Sequence, residues 1–434
     1  MRGSSMSSSL QSIASLLLLL LLLVFIDGDG KKGVLASNSA SIRRFSTLKL
    51  ARIQRHLEKI NKPAVRSIES PDGDTIDCVP QHKQPALDHP LLKDHNIQTV
   101  APKMPKFQGG PQPRNYTTAA AARRAWQAWH HVGHCPKGTV PIRRTRMDDV
   151  LRAKSLFHYG KKQAKVSVAR STDAPDVVSG NGHEHAIAYT GSDTGEVFGA
   201  KATINVWEPS IQVANEFSLS QIWILSGSFD GSDLNSIEAG WQVSPELYGD
   251  SRPRLFTYWT SDAYQATGCY NILCPGFVQT NNRIAIGAAI SPVSEYSGSQ
   301  YDITILIWKD PKLGNWWMSF GDNMLVGYWP AELFTHLSDH ATMVEWGGEV
   351  VNMRTNGEHT STQMGSGHFA SDGFAKASYF RSLEIVDSDN SLTAVQSIST
   401  LAEDTNCYDI QSYSNADWGI HFYYGGPGNN PKCH

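Results

Sequence analysis

Short apolar runs set the rhythm of the second half of this 434-residue chain. From about residue 183 onward, runs at 200–207, 217–225, 237–243, 254–260, 301–308 and 316–320 follow one another, separated by Gly, Asn, Asp, Ser and Pro clusters. β-Branched and aromatic residues dominate them, the composition of strands packed on a pleated surface. Many short strands at this spacing predict an all-β region, either a sandwich or a barrel. One short helix is expected within it, with Pro330 at its first position and Leu333, Phe334 and Leu337 on one face.

The first half reads differently. Leu50, Ile53, Leu57 and Ile60 recur at helical spacing within 43–62, with Arg and Lys between them. Turn signals follow at 70–73 and 109–113, and the Ala-rich stretch 117–129 predicts a second short helix. The apolar pattern is too broken to build a large core alone. Residues 161–182 are basic, then rich in Ser, Asp and Gly without periodicity. This reads as a linker, and Lys161, Lys162 and Arg170 make it a proteolytic target.

The start of the chain adds a compartment. Leu16 to Ile26 is an unbroken apolar run of eleven residues, too short to span a bilayer and the right length for a secretory h-region. A signal peptide over 1–27 is expected, with an uncleaved anchor as the alternative. After its removal no segment suits a membrane. Six cysteines in an exported chain read as three disulfides, with fifteen possible pairings, and their placement favours the sequential one. No pair of Cys-x-x-Cys hooks suggests zinc. Asn115-Tyr-Thr117 is a glycosylation acceptor.

Charge divides the chain more sharply than its net of −3 suggests. Residues 1–160 hold 24 Lys and Arg against 11 Asp and Glu, whereas 161–434 hold 14 against 30. No nucleic-acid motif accompanies the basic half. The expected partner is therefore internal, one half serving as counter-ion of the other. Acid would protonate carboxylates and loosen such a pairing.

Two glutamates stand out as candidate chemistry. Around Glu238, the residues Ile237, Ala239, Trp241 and Val243 share one strand face, and Glu238, Gly240 and Gln242 the other. Around Glu349, the residues Val344, Trp346, Gly348 and Val350 share a face, opposite Glu345, Gly347 and Glu349. Each carboxylate thus lies on a polar face bare of bulk, where glycine lets something approach closely. Two carboxyls sharing a site can hold one proton between them, the equipment for activating a water. Gln242 could add a donor for an oxyanion. His183 with His185, and His336 with His340, have ligand-like spacing but no third convergent ligand, so no metal is expected. Trp308, Trp316, Trp317, Tyr328 and Trp329 suit core packing, with a ring-binding subsite as the alternative.

Longer signatures add a resemblance. Residues 61–65, 70–78 (Ser-Pro-Asp-Gly-Asp-Thr-Ile-Asp-Cys), 84–92 and 135–144 (Cys-Pro-Lys-Gly-Thr-Val-Pro-Ile-Arg-Arg) resemble the activation peptide of the plant neprosin family. Residues 199–207, 236–241, 267–270, 327–330, 345–349 and 362–368 resemble its catalytic domain. The resemblance covers nearly all of the chain after the signal. It implies a secreted glutamic endopeptidase cleaving beside proline, made as a zymogen, without a cofactor. Its catalytic pair falls on Glu238 and Glu349, and its disulfides on Cys78–Cys135, Cys269–Cys274 and Cys407–Cys433. The implied organisation is a mixed α+β pro-segment over 28–160, the linker 161–182, and an antiparallel β-sandwich catalytic domain over 183–434. Proline-containing peptides and its own propeptide would be its partners, outside the cell or in the vacuole. Two rivals share the composition: a two-carboxylate glycoside hydrolase, and a non-catalytic wall-binding module indifferent to loss of either glutamate.

Overall fold

The computed structural model describes residues 47–108, 123–162, 182–190, 194–228, 233–321 and 323–434. The expected signal peptide, Asn115 and most of the linker lie outside the described residues. The chain divides into two compact units, Met1–Arg55 and His56–His434. Of the first, residues 47–55 are described, all helical. All that follows concerns the second.

Two sheets, antiparallel within the sandwich, face each other across one core. The first runs in the order Arg254–Thr260, Asn235–Val243, Ser218–Ser226, Met343–Val351, His183–Tyr189, Ser399–Ala402. The second follows the path Val278–Gln279, Met324–Trp329, Trp316–Phe320, Tyr301–Lys309, Gly199–Asn205, Ser378–Val386, Ser391–Ala394, Lys106–Phe107. The hairpin Asp409–Asn415/Gly419–Gly425 hangs on Ser378–Val386. Period-two alternation fills the space between the sheets. Ile237, Ala239, Trp241, Val344, Trp346 and Val350 meet Ala200, Ala202, Ile204, Ile303, Ile305 and Ile307 in one buried cluster. Each larger side chain contributes about 1.5–3 kcal/mol by leaving water. The domain is a β-sandwich.

The pro-segment folds against this sandwich. Arg66–Glu69, Thr75–Pro80 and Thr139–Arg143 form a three-stranded sheet, tied by the Cys78–Cys135 disulfide. Its small core of Ile68, Ile76, Trp129 and the two half-cystines is completed by Ala285 and Ala288 of the sandwich. Lys106–Phe107 and Arg123–Arg124 add to the large sheet in parallel, and Trp126–Gln127 pairs with Ile290–Ser291. Residues 86–107 also cover the rings of Trp308, Trp317 and Tyr328, all three of them core residues. There Gln98 donates its backbone N–H to the Tyr328 hydroxyl and its Nε2 to Asp310, while its Oε1 accepts from Trp317 and Asn315.

Neither short helix expected in these regions forms among the described residues, and 117–122 of the first lie outside them. In the Ala-rich stretch the described residues form two strand fragments and one 3₁₀ turn, Ala128–His131. Docking on sandwich strands overrides helix propensity. After Pro330 there is one 3₁₀ turn, Ala331–Leu333. The Asn235 side-chain carbonyl then captures the N–H groups of Thr335, His336 and Leu337, drawing the chain off a helical path. The remaining disulfides join Cys269 to Cys274 and Cys407 to Cys433. No helix among the described residues is long and apolar enough to cross a membrane.

Candidate active site

Glu238 and Glu349 lie on the same face of the six-stranded sheet, separated by the strand Ser218–Ser226. Glu238 stands opposite Trp223, and Trp223 opposite Glu345. Glu349 stands opposite Leu219, and Leu219 opposite Gln242. The two carboxylates therefore sit on a diagonal rather than in one row. Both are essentially inaccessible. The flanking glycines do admit a close approach, as expected. A Cβ on Gly240 would fall 1.9 Å from Ser220 O, and one on Gly347 would fall 2.3 Å from Ala186 O. What comes close to them is the neighbouring strand.

A lysine joins the pair. Lys162, in the expected linker, reaches Glu238 Oε2 with its Nζ at 2.6 Å and Glu349 Oε2 at 3.8 Å. The two carboxylate oxygens are thus no further apart than those distances together allow. The ammonium also lies 5.2 Å from the ring centres of both Tyr258 and Tyr264. Burial alone would pull its pKa down, but Glu238 and Glu349 outweigh this and hold it above the usual lysine value. As a cleavage point Lys162 is inaccessible here, its side chain 2% exposed. Lys161 is held by the Ala266 carbonyl.

The two glutamates have unlike surroundings. Glu238 Oε1 accepts from the Tyr264 hydroxyl at 2.8 Å and from Ser236 Oγ at 2.9 Å. Tyr264 reaches it from a loop in which Ala263 and Tyr264 both have positive φ, 52° and 64°, a strained arrangement for non-glycine residues. Asp262 steadies that loop, its carboxylate accepting from the N–H groups of Ala266 and Thr267 and from the Thr267 hydroxyl. Glu349 faces cations instead. His183 Nδ1 is 2.5 Å from its Oε1, and His185 Nε2 is 3.9 Å away. Glu403 holds His185 from behind, through Nδ1 at 3.0 Å and the backbone N–H. Burial pushes the Glu349 carboxyl up, but Lys162, His183 and His185 outweigh burial and hold it well below the usual glutamate range.

Beside the pair opens a cavity of about 480 Å³. Phe217, Leu247, Tyr270 and Val351 line it together with His183, Gln242 and residues of the pro-segment. Gln242, the expected oxyanion donor, accepts from the Tyr248 hydroxyl at 3.4 Å. His336 and His340 each face an aspartate of their own, Asp233 and Asp339. A His359–Cys407–Cys433 grouping offers no thiolate, because its sulfurs form a disulfide.

Sequence reading passed over Lys162, Tyr264, Ser236 and Glu403 as parts of this site. It took His183 and His185 only as possible metal ligands. The period of their strand does carry a signal, since His183 and His185 share one face.

The contacts between pro-segment and sandwich are not a simple pairing of basic with acidic surface. Lys162 and His95 meet glutamates, but Asp74 of the pro-segment meets the buried Arg254 of the sandwich, the reverse polarity. Arg143 and Arg152 reach backbone carbonyls of Tyr248 and Glu246.

Residues 214–427 match the family model described as Neprosin, and residues 67–189 the model described as Neprosin activation peptide. The second match takes in the strand His183–Tyr189. Among solved structures, the chain is similar to Scytalido-glutamic peptidase with a peptide-based transition state analog, at 11% identity, 57% of this chain, 98% of that chain and a TM-score of 0.31. It is also similar to SCP-B, a member of the Eqolisin family of peptidases in a complex with the tripeptide Ala-Ile-His, at 10% identity, 56% and 97% coverage and a TM-score of 0.28.

Proposed function

The chain belongs to the neprosin family, an activation peptide preceding a neprosin domain, and from that premise we propose that it is the precursor of a secreted glutamic endopeptidase hydrolysing peptide bonds beside proline. One observation carries the reading: two buried carboxylates on one sheet face, both within reach of a single lysine ammonium. A pair that accommodates one cation between its oxygens has room for one water. Glu349, held ionised by its histidines, takes a proton from that water as it attacks the carbonyl. Glu238, on the other side of the water, passes a proton to the leaving nitrogen as the C–N bond breaks. Such a pair titrates as a unit.

In the precursor Lys162 fills the place of the water, so latency follows from the same geometry. The mature domain begins after the linker and no later than His183. The strand His183–Tyr189 lies inside the six-stranded sheet, and its loss would open that sheet. Export rests on the apolar run near the start of the chain, the three disulfides and the acceptor at Asn115.

The test uses acid-processed protein on a library of proline-containing peptides. Glu238→Gln and Glu349→Gln keep shape and remove proton transfer, so each is expected to lower kcat by about 10²–10⁴-fold. Wild-type turnover in either variant ends the two-glutamate reading. Release of reducing sugar from wall polysaccharide would point to the glycosidase instead.

A further inference from the structure

The strand between the two glutamate strands holds a side chain with no evident structural purpose. Gln221, near the middle of Ser218–Ser226, is 0% exposed, and neither its Oε1 nor its Nε2 has a hydrogen-bond partner. A buried polar group left unpaired costs about 1–3 kcal/mol, and native interiors pair the great majority of such groups. An apolar side chain of similar volume would fill the position without that penalty.

The register explains both the isolation and the position. Gln221 stands opposite Gly240 on one side and Gly347 on the other, so neither neighbour in its row has a side chain to offer. Gly240 is two residues from Glu238, and Gly347 is two residues from Glu349. Paired residues of adjacent strands project to the same face, and so do residues two apart on one strand. Gln221 therefore lies at the midpoint of the diagonal between the two carboxylates, on their face of the sheet. Lys162 Nζ contacts both carboxylates, yet the Gln221 amide bonds to nothing. An unsatisfied donor held at the centre of a reactive pair is what a preorganised charge-stabilising group looks like before its ligand arrives.

We propose that Gln221 is a catalytic residue of this site, its Nε2–H donating to the scissile carbonyl oxygen as negative charge develops there. The inference rests on the two-glutamate reading above. In the addition step the water oxygen bonds to the carbonyl carbon, Glu349 takes one water proton, and the C=O π pair moves onto oxygen against the Gln221 amide. On collapse the C=O re-forms, the C–N bond breaks, and the proton held by Glu238 goes to the leaving nitrogen. Transfer of the proton from Glu349 to Glu238 resets the pair. Gln242, two rows from Glu238 and bonded to Tyr248, is not needed for this role.

Gln221→Met in the acid-processed enzyme tests the proposal. Loss of one oxyanion donor lowers kcat by about 10²–10³-fold, with KM within a few fold of wild type. The thermal midpoint of the precursor is expected to stay level or rise, because an unpaired buried amide has been removed. A purely structural glutamine would give the opposite pair of results, a lower midpoint with kcat intact, and that outcome overturns the proposal. Glu238→Gln and Glu349→Gln are measured alongside. If both are inactive while Gln221→Met turns over normally, only the role of Gln221 falls. If they are active, the two-glutamate reading falls first. A second measurement needs no variant at Gln221: in wild-type processed enzyme labelled with ¹⁵N at glutamine side chains, a phosphinic peptide mimicking the tetrahedral anion should move one amide proton strongly downfield. The absence of any such shift on saturation overturns the proposal equally.

Discussion

At the scale of single residues, a buried ammonium between two carboxylates holds only while all three charges face one another. Removing one partner of such a cluster leaves uncompensated charge inside the protein and costs about 3–5 kcal/mol. Lys162→Met is therefore expected to destabilise the precursor strongly at pH 7, where the pair would lose the ammonium that joins it. At pH 4 the loss should be smaller, because one carboxyl can take a proton. The sign follows from Glu349, whose carboxyl is depressed in the folded chain: its stabilising contribution is present above the unfolded value of 4.5 and is lost as pH falls through the folded one. Thermal midpoints of both proteins at the two pH values check this, and equal losses at pH 4 and pH 7 would contradict it. Glu238 and Glu349 could be picked out from sequence because alternation shows which residues share a face. Lys162 could not. Its partner lies 76 residues away, and a Lys-Lys pair looks the same whether it awaits a protease or fills a site. Gln221 was equally silent, one amide in an apolar run.

At the scale of elements, the strands of the sandwich and the close approach at their glycines were legible, but what approaches was not. Period two identifies a strand and its two faces, but not how closely the next strand passes. Gly240 shows the difference, since a Cβ there would meet Ser220 O at 1.9 Å and Gln221 Cα at 2.6 Å. Gly240→Ala should force the strands apart and cost about 1–3 kcal/mol, the range for overpacked interiors. A lower urea midpoint with an unchanged slope would be the readout. An unchanged midpoint would mean that the sheet yields at no cost. The two misread helices have the same kind of cause. Asn235, about a hundred residues earlier in the chain, takes the N–H groups that a helix after Pro330 would have used. No local pattern reveals such a competitor.

At the scale of the whole molecule, charge balance suggested that carboxylates govern how the pro-segment is held, and the contacts shift that role to histidines. Burial tends to raise the Asp74 carboxyl, but Arg254 and Arg143 outweigh it and hold it below its ordinary value. That link persists in mild acid. His89 packs edge-on to Trp259, with ring centres 5.9 Å apart, and His130 lies against the Arg283 carbonyl. Burial is the first cause of a lowered pKa in both. The docked state therefore favours their neutral forms, and stability is lost as pH falls below the free value of 6.5 toward the docked one. Changing both to glutamine should flatten the decline in precursor stability between pH 7 and 5 and slow acid processing. Unaltered pH dependence would exclude these two groups. Separation of the halves would have a further result on the flank opposite the face that carries Glu238 and Glu349. With Gln98 gone from its four hydrogen bonds to the sandwich and its neighbours lifted away, the indoles of Trp308 and Trp317 and the phenol of Tyr328 would meet water. Ripening would give the molecule an adhesive side, and the freed enzyme would cling to surfaces that its precursor ignores.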